Sequence, residues 1–416
     1  MPKVKVGVFG GGRGTSMVNQ LALHPDAELV SICDANPALL NNCRQVAESA
    51  GSQVRLYNEF DEFLQDDMEA VVLANYATEH APFAVRLLDS GRHVCSEVLA
   101  CQTLAEAVTL VEAVERSGKV YSYAENYCYF RGTLEMKRLY QQGDIGEFLH
   151  GEGEYVHDCE SIWVHITRGE REHWRNWIPA TFYCTHSTGP LLTITGTRPT
   201  RVTAYETPNL NCQKFGRRGA DGAVILCQMS NGATTKFLPW SNFKREPGSI
   251  WYSVYGSKGM METNRWAGGT DQLNVYLEGE EQRCYTPEFP LAEKLAAAGG
   301  GHGGSDFYTM HYFLEAILGR PDGAESIDVY QGLDMTLPGI LGYRSIWENN
   351  AALEVPDLRE ASLRDKYRND HWCVDPKLAG PGQPEWSNHW GPIEPDEALY
   401  EGQRHAWRKL IGEEEA

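Results

Sequence analysis

The chain has no C-x-x-C pair, no extended basic stretch and no apolar run near membrane-spanning length. Its 11 cysteines are odd in number and scattered, which argues for reduced thiols in a cytosol and against a disulfide or zinc framework. Lysine and arginine total 37 against 57 aspartates and glutamates, a formal charge of −20. The clustered cations that reading a phosphate backbone requires are therefore missing, and nucleic acid is not an expected partner. The one basic patch, Lys214-Phe215-Gly216-Arg217-Arg218, is short and glycine-punctuated. It reads as a solvated loop, with an anion-recognising loop near a substrate as the alternative. Met1 to Val8 run straight into a strand without an apolar signal core, so a cytoplasmic, non-membrane protein is expected. Internal repeats are not seen.

What is present belongs to a folded globular chain: 416 residues, 42% hydrophobic and 11% aromatic. That length exceeds one compact core and suits two domains. Strand and helix patterns alternate through the first third, which implies a parallel sheet. The strands are expected at Lys3 to Phe9, Glu28 to Cys33, Ala70 to Leu73, His93 to Ser96 (a fourth strand) and Val120 to Tyr123. Helices are expected at Pro37 to Ala50, Ala81 to Ser90 and Leu104 to Ser117, with Gly91 and Gly118 closing two of them. After Asn126 a helix near Gly132 to Gln142 leads into longer period-two segments such as Glu147 to Val156, Ala223 to Met229 and Trp251 to Tyr255. Two helices, near Asp306 to Leu318 and Val329 to Glu348, come late.

The expected architecture is α/β: an N-terminal Rossmann dinucleotide-binding domain (1–126) followed by an α+β domain with a mostly antiparallel open sheet (127–350). Residues 351–416 turn rich in Pro, Trp and acidic residues. A free tail rarely holds four tryptophans, so this segment reads as an arm packed on the body or on a neighbouring subunit.

Gly10-Gly11-Gly12-Arg13-Gly14 follows an apolar strand and opens a helix, the context a dinucleotide loop requires. Glycines let the backbone approach a pyrophosphate, and the helix start offers unpaired N–H groups. Thr15 holds the last place of a strict G-x-G-x-x-G. Asp34 ends the second strand, where a carboxylate accepts ribose hydroxyls of NAD and repels the extra phosphate of NADP. NAD is the expected cofactor.

The order Gly10 to Gly14, Asp34, Asn75 to His80, Glu97-Val98 and Glu125-Asn126, then a mixed-sheet domain, resembles the glucose-fructose oxidoreductase / inositol dehydrogenase / rhizopine catabolism (Gfo/Idh/MocA) superfamily over roughly residues 3–350. Most members carry Glu-Lys-Pro on this strand, and the lysine serves the substrate hydroxyl. Here Val98 stands in its place and cannot pass a proton. One branch has Glu-Val there: the NAD-dependent α-N-acetylgalactosaminidases, glycoside hydrolases that use hydride chemistry. The chain resembles that branch also in Gly151 to Asp158, His173-Trp174-Arg175, Tyr183 to Pro190 and Gly301 to Phe307. The resemblance implies NAD contacts at Gly12, Arg13, Asp34, Asn75 to His80, Glu97, Val98 and Asn126. It implies sugar contacts at Tyr155, Arg175 and Tyr183 to His186, with Asp158 beside them. Two departures stand out: Pro287-Glu288-Phe289-Pro290 occupies the neighbourhood of the branch's later sugar-binding tyrosine, and Cys184 replaces a proline.

In such a reaction a hexoside is oxidised at C3, loses its aglycone by elimination across C1–C2, takes up water and is reduced again. It needs groups that move protons at the C3 hydroxyl, at C2 and at the leaving oxygen. His186, Tyr183 and His302 are the candidates, because histidine and tyrosine exchange protons near neutral pH when their surroundings tune them. Arg175 could hold a hydroxyl or stabilise enolate charge. Each has a structural alternative: His302 as a cap of the helix starting near Ser305, His186 as a cap, Tyr183 as a core aromatic. His157, Asp158, His165 and His173 match no zinc or facial-triad spacing, so no metal is expected. The alternatives to a glycosidase are a sugar or cyclitol dehydrogenase lacking the usual lysine, and a silent NAD-binding sensor. A carbohydrate substrate and a homo-oligomer, dimer or tetramer, complete the expectation.

Overall fold

The computed structural model describes residues 3–240, 242–266, 271–294 and 301–413. The chain divides into two units: Met1–Phe130 with Glu288–Leu333 and Leu358–Asn369, and Arg131–Pro287 with Asp334–Asp357 and Asp370–Ala416.

The first unit is built on six parallel strands: β1 (Val4–Phe9), β2 (Ala27–Cys33), β3 (Arg55–Tyr57), β4 (Ala70–Leu73), β5 (His93–Ser96) and β6 (Tyr121–Tyr123). Their order is β3-β2-β1-β4-β5-β6. β1, β4 and β5 are almost wholly buried and correspondingly apolar, as strands covered on both faces must be. Helices Gly11–Leu23, Pro37–Ser49, His80–Asp89 and Leu104–Ser117 connect them. Gly91 and Gly118, at φ +85° and +63°, end two helices in the left-handed conformation that glycine adopts without steric cost. β3 is an addition to the expected set, so His93–Ser96 is the fifth strand rather than the fourth. Helix Ser305–Ile317 also belongs to this unit, and its Met310, Phe313 and Leu314 join the core formed by Val6, Val8 and Val18.

The second unit carries a nine-stranded sheet: β7 (Phe148–Val156), β8 (Pro199–Glu206), β9 (Ala223–Met229), β10 (Thr234–Trp240), β11 (Ser249–Gly256), β12 (Gly259–Thr263), β13 (Leu273–Leu277), β14 (Arg283–Tyr285) and β15 (Leu353–Glu354). Their order is β14-β13-β12-β11-β7-β10-β9-β8-β15. Only β7 and β10 run parallel; the other pairs are antiparallel. Helix Thr185–Thr195 lies on this sheet. A Cβ on Gly153 of β7 would collide with the Ser187 carbonyl, so a glycine there is what lets helix and strand approach so closely.

Residues 370–413 pack on the second unit and include a helix, Glu397–Leu410, capped by Asp396, whose side chain accepts from the Ala398 N–H at 3.0 Å. Tyr400 Oη donates to the Gly216 carbonyl at 2.6 Å and Gln403 Nε2 to the Phe215 carbonyl at 2.9 Å. These contacts correct the solvated-loop reading of Lys214 to Arg218 in part: Lys214 is exposed, but Phe215 and Gly216 are buried under the C-terminal helix and Arg217 is only 3% exposed. No helix among the described residues is long and apolar enough to cross a membrane.

Candidate active site

In the first unit the dinucleotide loop lies at the switch in strand order between β1 and β4. Gly10 has φ +104°, and a Cβ on it would collide with the backbone of Ala74 and Asn75 after β4. Only glycine allows the two loops to meet where such sheets bind ligands. A Cβ on Gly12 would meet nothing within 4 Å, so the helix start beside it is open, while Gly14 packs on Val8. Asp34 Oδ2 accepts the Gly11 N–H at 2.5 Å and Oδ1 the Asn36 N–H at 2.7 Å, which aims the carboxylate across the loop.

Two polar groups near this loop are left wanting. Both amide atoms of Asn75 are buried without a hydrogen-bond partner among the described residues. His80 donates from Nδ1 to the Leu99 carbonyl at 2.9 Å, leaving Nε2 a buried lone pair with no partner among the described residues. Burial lowers the His80 pKa to about 4, so the ring is neutral. Orphaned buried polar atoms cost free energy; beside an open helix start with unpaired N–H groups they fit a bound dinucleotide.

Arg13, on the first turn, is gripped by carboxylates. Its Nε pairs with Glu97 Oε1 at 2.9 Å, and Nη1 and Nη2 donate to Asp306 at 2.9 and 2.6 Å. Asn126 Nδ2 donates to Asp306 Oδ1 at 3.1 Å. His302 Nδ1 lies 2.9 Å from Asp306 Oδ2, and its side chain remains 48% exposed. Val98 is 5% exposed, an apolar side chain buried just beyond β5.

In the second unit β7 and helix Thr185–Thr195 bring together Tyr155, Tyr183 and His186. The His186 ring meets Tyr155 at 4.9 Å and Tyr183 at 5.1 Å between centroids, both edge to face. Pro190 sits inside this helix and has no N–H to give the carbonyl four residues back. That carbonyl, of His186, accepts instead from the buried Tyr252 Oη at 2.6 Å, so the backbone under His186 is pinned from β11. The Arg175 guanidinium lies 4.3 Å over the Trp174 ring and 5.0 Å over Tyr183, with Nη2 3.5 Å from Tyr183 Oη. His173 Nδ1 accepts the Arg175 N–H at 3.3 Å; burial and the neighbouring Arg175 and Arg168 cations push its pKa down to about 2.

Sequence reasoning weighed His157 only as a metal ligand; its ring stacks at 5.9 Å from Tyr155 and its Nδ1 is 3.1 Å from Cys159 Sγ. Two-residue alternation along β7 was the signal that could have found it. Burial lowers the His157 pKa despite the opposing Asp158 charge. Asp158 is engaged by Lys244 Nζ at 3.0 Å and by the Glu160 N–H at 3.1 Å. His302, grouped by sequence with His186 and Tyr183, belongs to the first unit, and those two to the second. Phe289, in the neighbourhood of the expected later tyrosine, stacks on Tyr308.

One group among the described residues, His311, Glu315 and Asp322, is close enough to hold a metal ion. Its hydrogen bonds disfavour that. The Asp26 N–H donates to His24 Nδ1 at 3.2 Å, so His24 Nε2 carries the hydrogen and donates to His311 Nδ1 at 3.1 Å. The His311 proton is thereby left on Nε2, the atom a metal would take, and Arg320 already bridges Glu315 and Asp26.

Comparison with known proteins agrees with this anatomy. Residues 4–125 match the oxidoreductase family with an NAD-binding Rossmann fold, and residues 129–365, more than half the chain, match the C-terminal domain of glycosyl hydrolase 109. The chain belongs to glycosyl hydrolase family 109. Among relatives of that name, one from Bacteroides thetaiotaomicron is 27% identical over 397 residues, 85% of this chain and 84% of its own length. One from Shewanella baltica is 28% identical over 395 residues, 86% of this chain and 85% of its own. A levoglucosan dehydrogenase solved with NADH and L-sorbose superposes with TM-score 0.71 at 20% identity, covering 86% of this chain and 100% of that one. An inositol dehydrogenase homologue from Azotobacter vinelandii, solved with NADH and myo-inositol, gives TM-score 0.67 at 19% identity over 85% of this chain and 98% of its own. These two show the fold. The family 109 chain is thus an enzyme of the Gfo/Idh/MocA superfamily whose first unit is an NAD-binding Rossmann domain.

Proposed function

We propose that the chain is an NAD-dependent glycoside hydrolase that cleaves a hexoside by elimination and not by displacement. The observation that carries this reading is that one family 109 chain has a buried valine at position 98 in its first unit and a built cluster of Tyr155, Arg175, Tyr183 and His186 in its second. Bound NAD would supply the reversible hydride acceptor that lets the sugar become a C3 ketone and return to an alcohol with no net redox change. Asn75, His80 and the Gly10–Gly14 turn would hold that cofactor, with Asp34 on its ribose.

His186, Tyr183 and His302 share the three proton transfers at the C3 hydroxyl, at C2 and at the leaving oxygen. Tyr155 and Arg175 hold sugar hydroxyls. Arg175, a cation desolvated on aromatic faces, also stabilises the negative charge that develops when the C2 proton leaves.

Register places the exposed Tyr205, Leu226, Tyr255 and Tyr276 on one face of the second sheet, which supports a homo-oligomer, dimer or tetramer; the free cysteines fit a cytoplasmic location.

The test is turnover of p-nitrophenyl α- and β-hexosides with NAD far below substrate. Aglycone released in large excess over NAD, without accumulating NADH absorbance, is the expected result. Steady NADH from free sugars with no aglycone release would make the chain a sugar or cyclitol dehydrogenase without its lysine. Bound NAD with turnover of neither would leave a sensor.

A further inference from the structure

Asp306 lies on the first turn of helix Ser305–Ile317 and is 0% exposed. It comes from nearly 300 residues beyond the dinucleotide loop and yet collects that loop's side chains. Oδ1 accepts from Arg13 Nη2 at 2.6 Å and Asn126 Nδ2 at 3.1 Å. Oδ2 accepts from Arg13 Nη1 at 2.9 Å, Ser16 Oγ at 2.5 Å and His302 Nδ1 at 2.9 Å. A Cβ on Gly301 would fall 2.5 Å from Asp306 Oδ2 and 2.7 Å from Ser16 Oγ, so the 301–306 turn is moulded to the same carboxylate.

Two consequences follow from this donor count. The Arg13 charge is matched by Glu97 and Asp306 before any phosphate approaches. Arg13 is therefore a strut that fixes the glycine loop, and the pyrophosphate falls to the loop's backbone N–H groups. The His302 proton is drawn to Nδ1, which leaves the Nε2 lone pair on the exposed side of the ring. Burial alone would raise the Asp306 carboxyl, but the His302 and Arg13 donors outweigh it and hold the group well below the usual carboxylate range.

We propose that Asp306 is a positioning residue that sets the dinucleotide loop in its binding form, through Arg13, Ser16 and Asn126, so that NAD stays bound from one turnover to the next. The purpose rests on the redox-neutral reading, since a cofactor that gets back each hydride has no need to leave. The retention itself does not depend on which glycoside is cleaved.

The test compares the full-length protein with D306N, R13A and the double variant. After gel filtration, NAD released on denaturation is counted per chain, and the rate of NADH escape into excess NAD is followed by fluorescence. The wild type is expected to keep its cofactor. D306N is expected to lose it about tenfold faster or more, as when a charged hydrogen bond is removed. The double variant should leak less than the two single losses combined would give, because both changes cut the shared Arg13–Asp306 contact. Added NAD should refill the site in D306N, read as bound cofactor per chain, with a raised dissociation constant for NAD and a melting temperature that excess NAD returns toward wild type, a pattern that general destabilisation does not produce. Escape from D306N at the wild-type rate, or additive losses in the double variant, would overturn the proposal. If D306N does not fold, S16A, which removes one donor, carries the test: wild-type retention by S16A would overturn it too. A wild type that binds no NAD would instead refute the cofactor assignment, and NAD retention without aglycone release would refute only the glycosidase.

Discussion

At the scale of single residues, the proposed chemistry turns on what Val98 lacks and what Tyr183 and His186 carry. A buried valine can neither accept nor donate a proton, so in the proposed reaction proton transfer rests on histidine and tyrosine. Tyr183→Phe keeps the ring against His186 and removes only the hydroxyl. Its kcat on a cleaved glycoside should fall roughly 100-fold or more, with the melting temperature within a few degrees of wild type. Unchanged kcat would return Tyr183 to the role of a core aromatic. Asp34 works by a different principle. In the proposed cofactor site its carboxylate would stand where NADP carries an extra phosphate, so Asp34→Ser should narrow the preference for NAD over NADP, read as the ratio of their dissociation constants. A ratio equal to wild type would contradict that role.

Among elements, helix Thr185–Thr195 shows how local sequence builds a site. Pro190 frees the His186 carbonyl, and Tyr252 of β11 takes it. Tyr252→Phe removes that donor from a buried carbonyl, which should cost about 1 to 3 kcal/mol in denaturant unfolding. Adding Pro190→Ala supplies an N–H in the right place, so the double variant should recover part of the loss. No recovery would show that the carbonyl is satisfied otherwise.

The same scale separates what could be read in the sequence from what could not. β4, β5 and helix Leu104–Ser117 were legible because their burial produces a clear apolar pattern. β3 was not, since its three residues form a sheet edge with two of them exposed. Helix Glu397–Leu410 buries only Tyr400 and Gln403, too little to mark an apolar stripe among charges. Tyr183 to His186 stood out as a motif, whereas the placing of Arg175 over the Tyr183 ring depends on how the segment between them folds. Asp306 went unread because an acid in a helix's first turn needs no explanation beyond the helix dipole.

For the whole molecule, acid sensitivity follows from histidines held neutral. His24 and His80 have pKa values lowered by burial to about 4 from the ordinary 6.5. As pH falls below 6.5 the unfolded chain takes up protons that the folded chain refuses until about 4. Stability is therefore full above about pH 7 and is lost progressively down to about pH 4, by up to about 3 kcal/mol for each ring. Denaturant midpoints at pH 7.5 and 4.5 should show the drop, and His80→Asn should flatten it; an equal slope in that variant would contradict the assignment. Assembly is testable at this scale too. Lysines at Tyr255 and Tyr276 should shift the mass seen by light scattering toward the monomer, and an unchanged mass would remove that face from the interface.

In the proposed reaction, C3 oxidation serves to loosen the proton at C2. Hydrolysis of a cleaved hexoside in deuterated water with catalytic NAD, followed by NMR of the free sugar, reads this step itself. One deuterium at C2 for each aglycone released and no accumulating NADH are expected. Product with hydrogen retained at C2 would mean direct displacement at the anomeric carbon and would rule the elimination out.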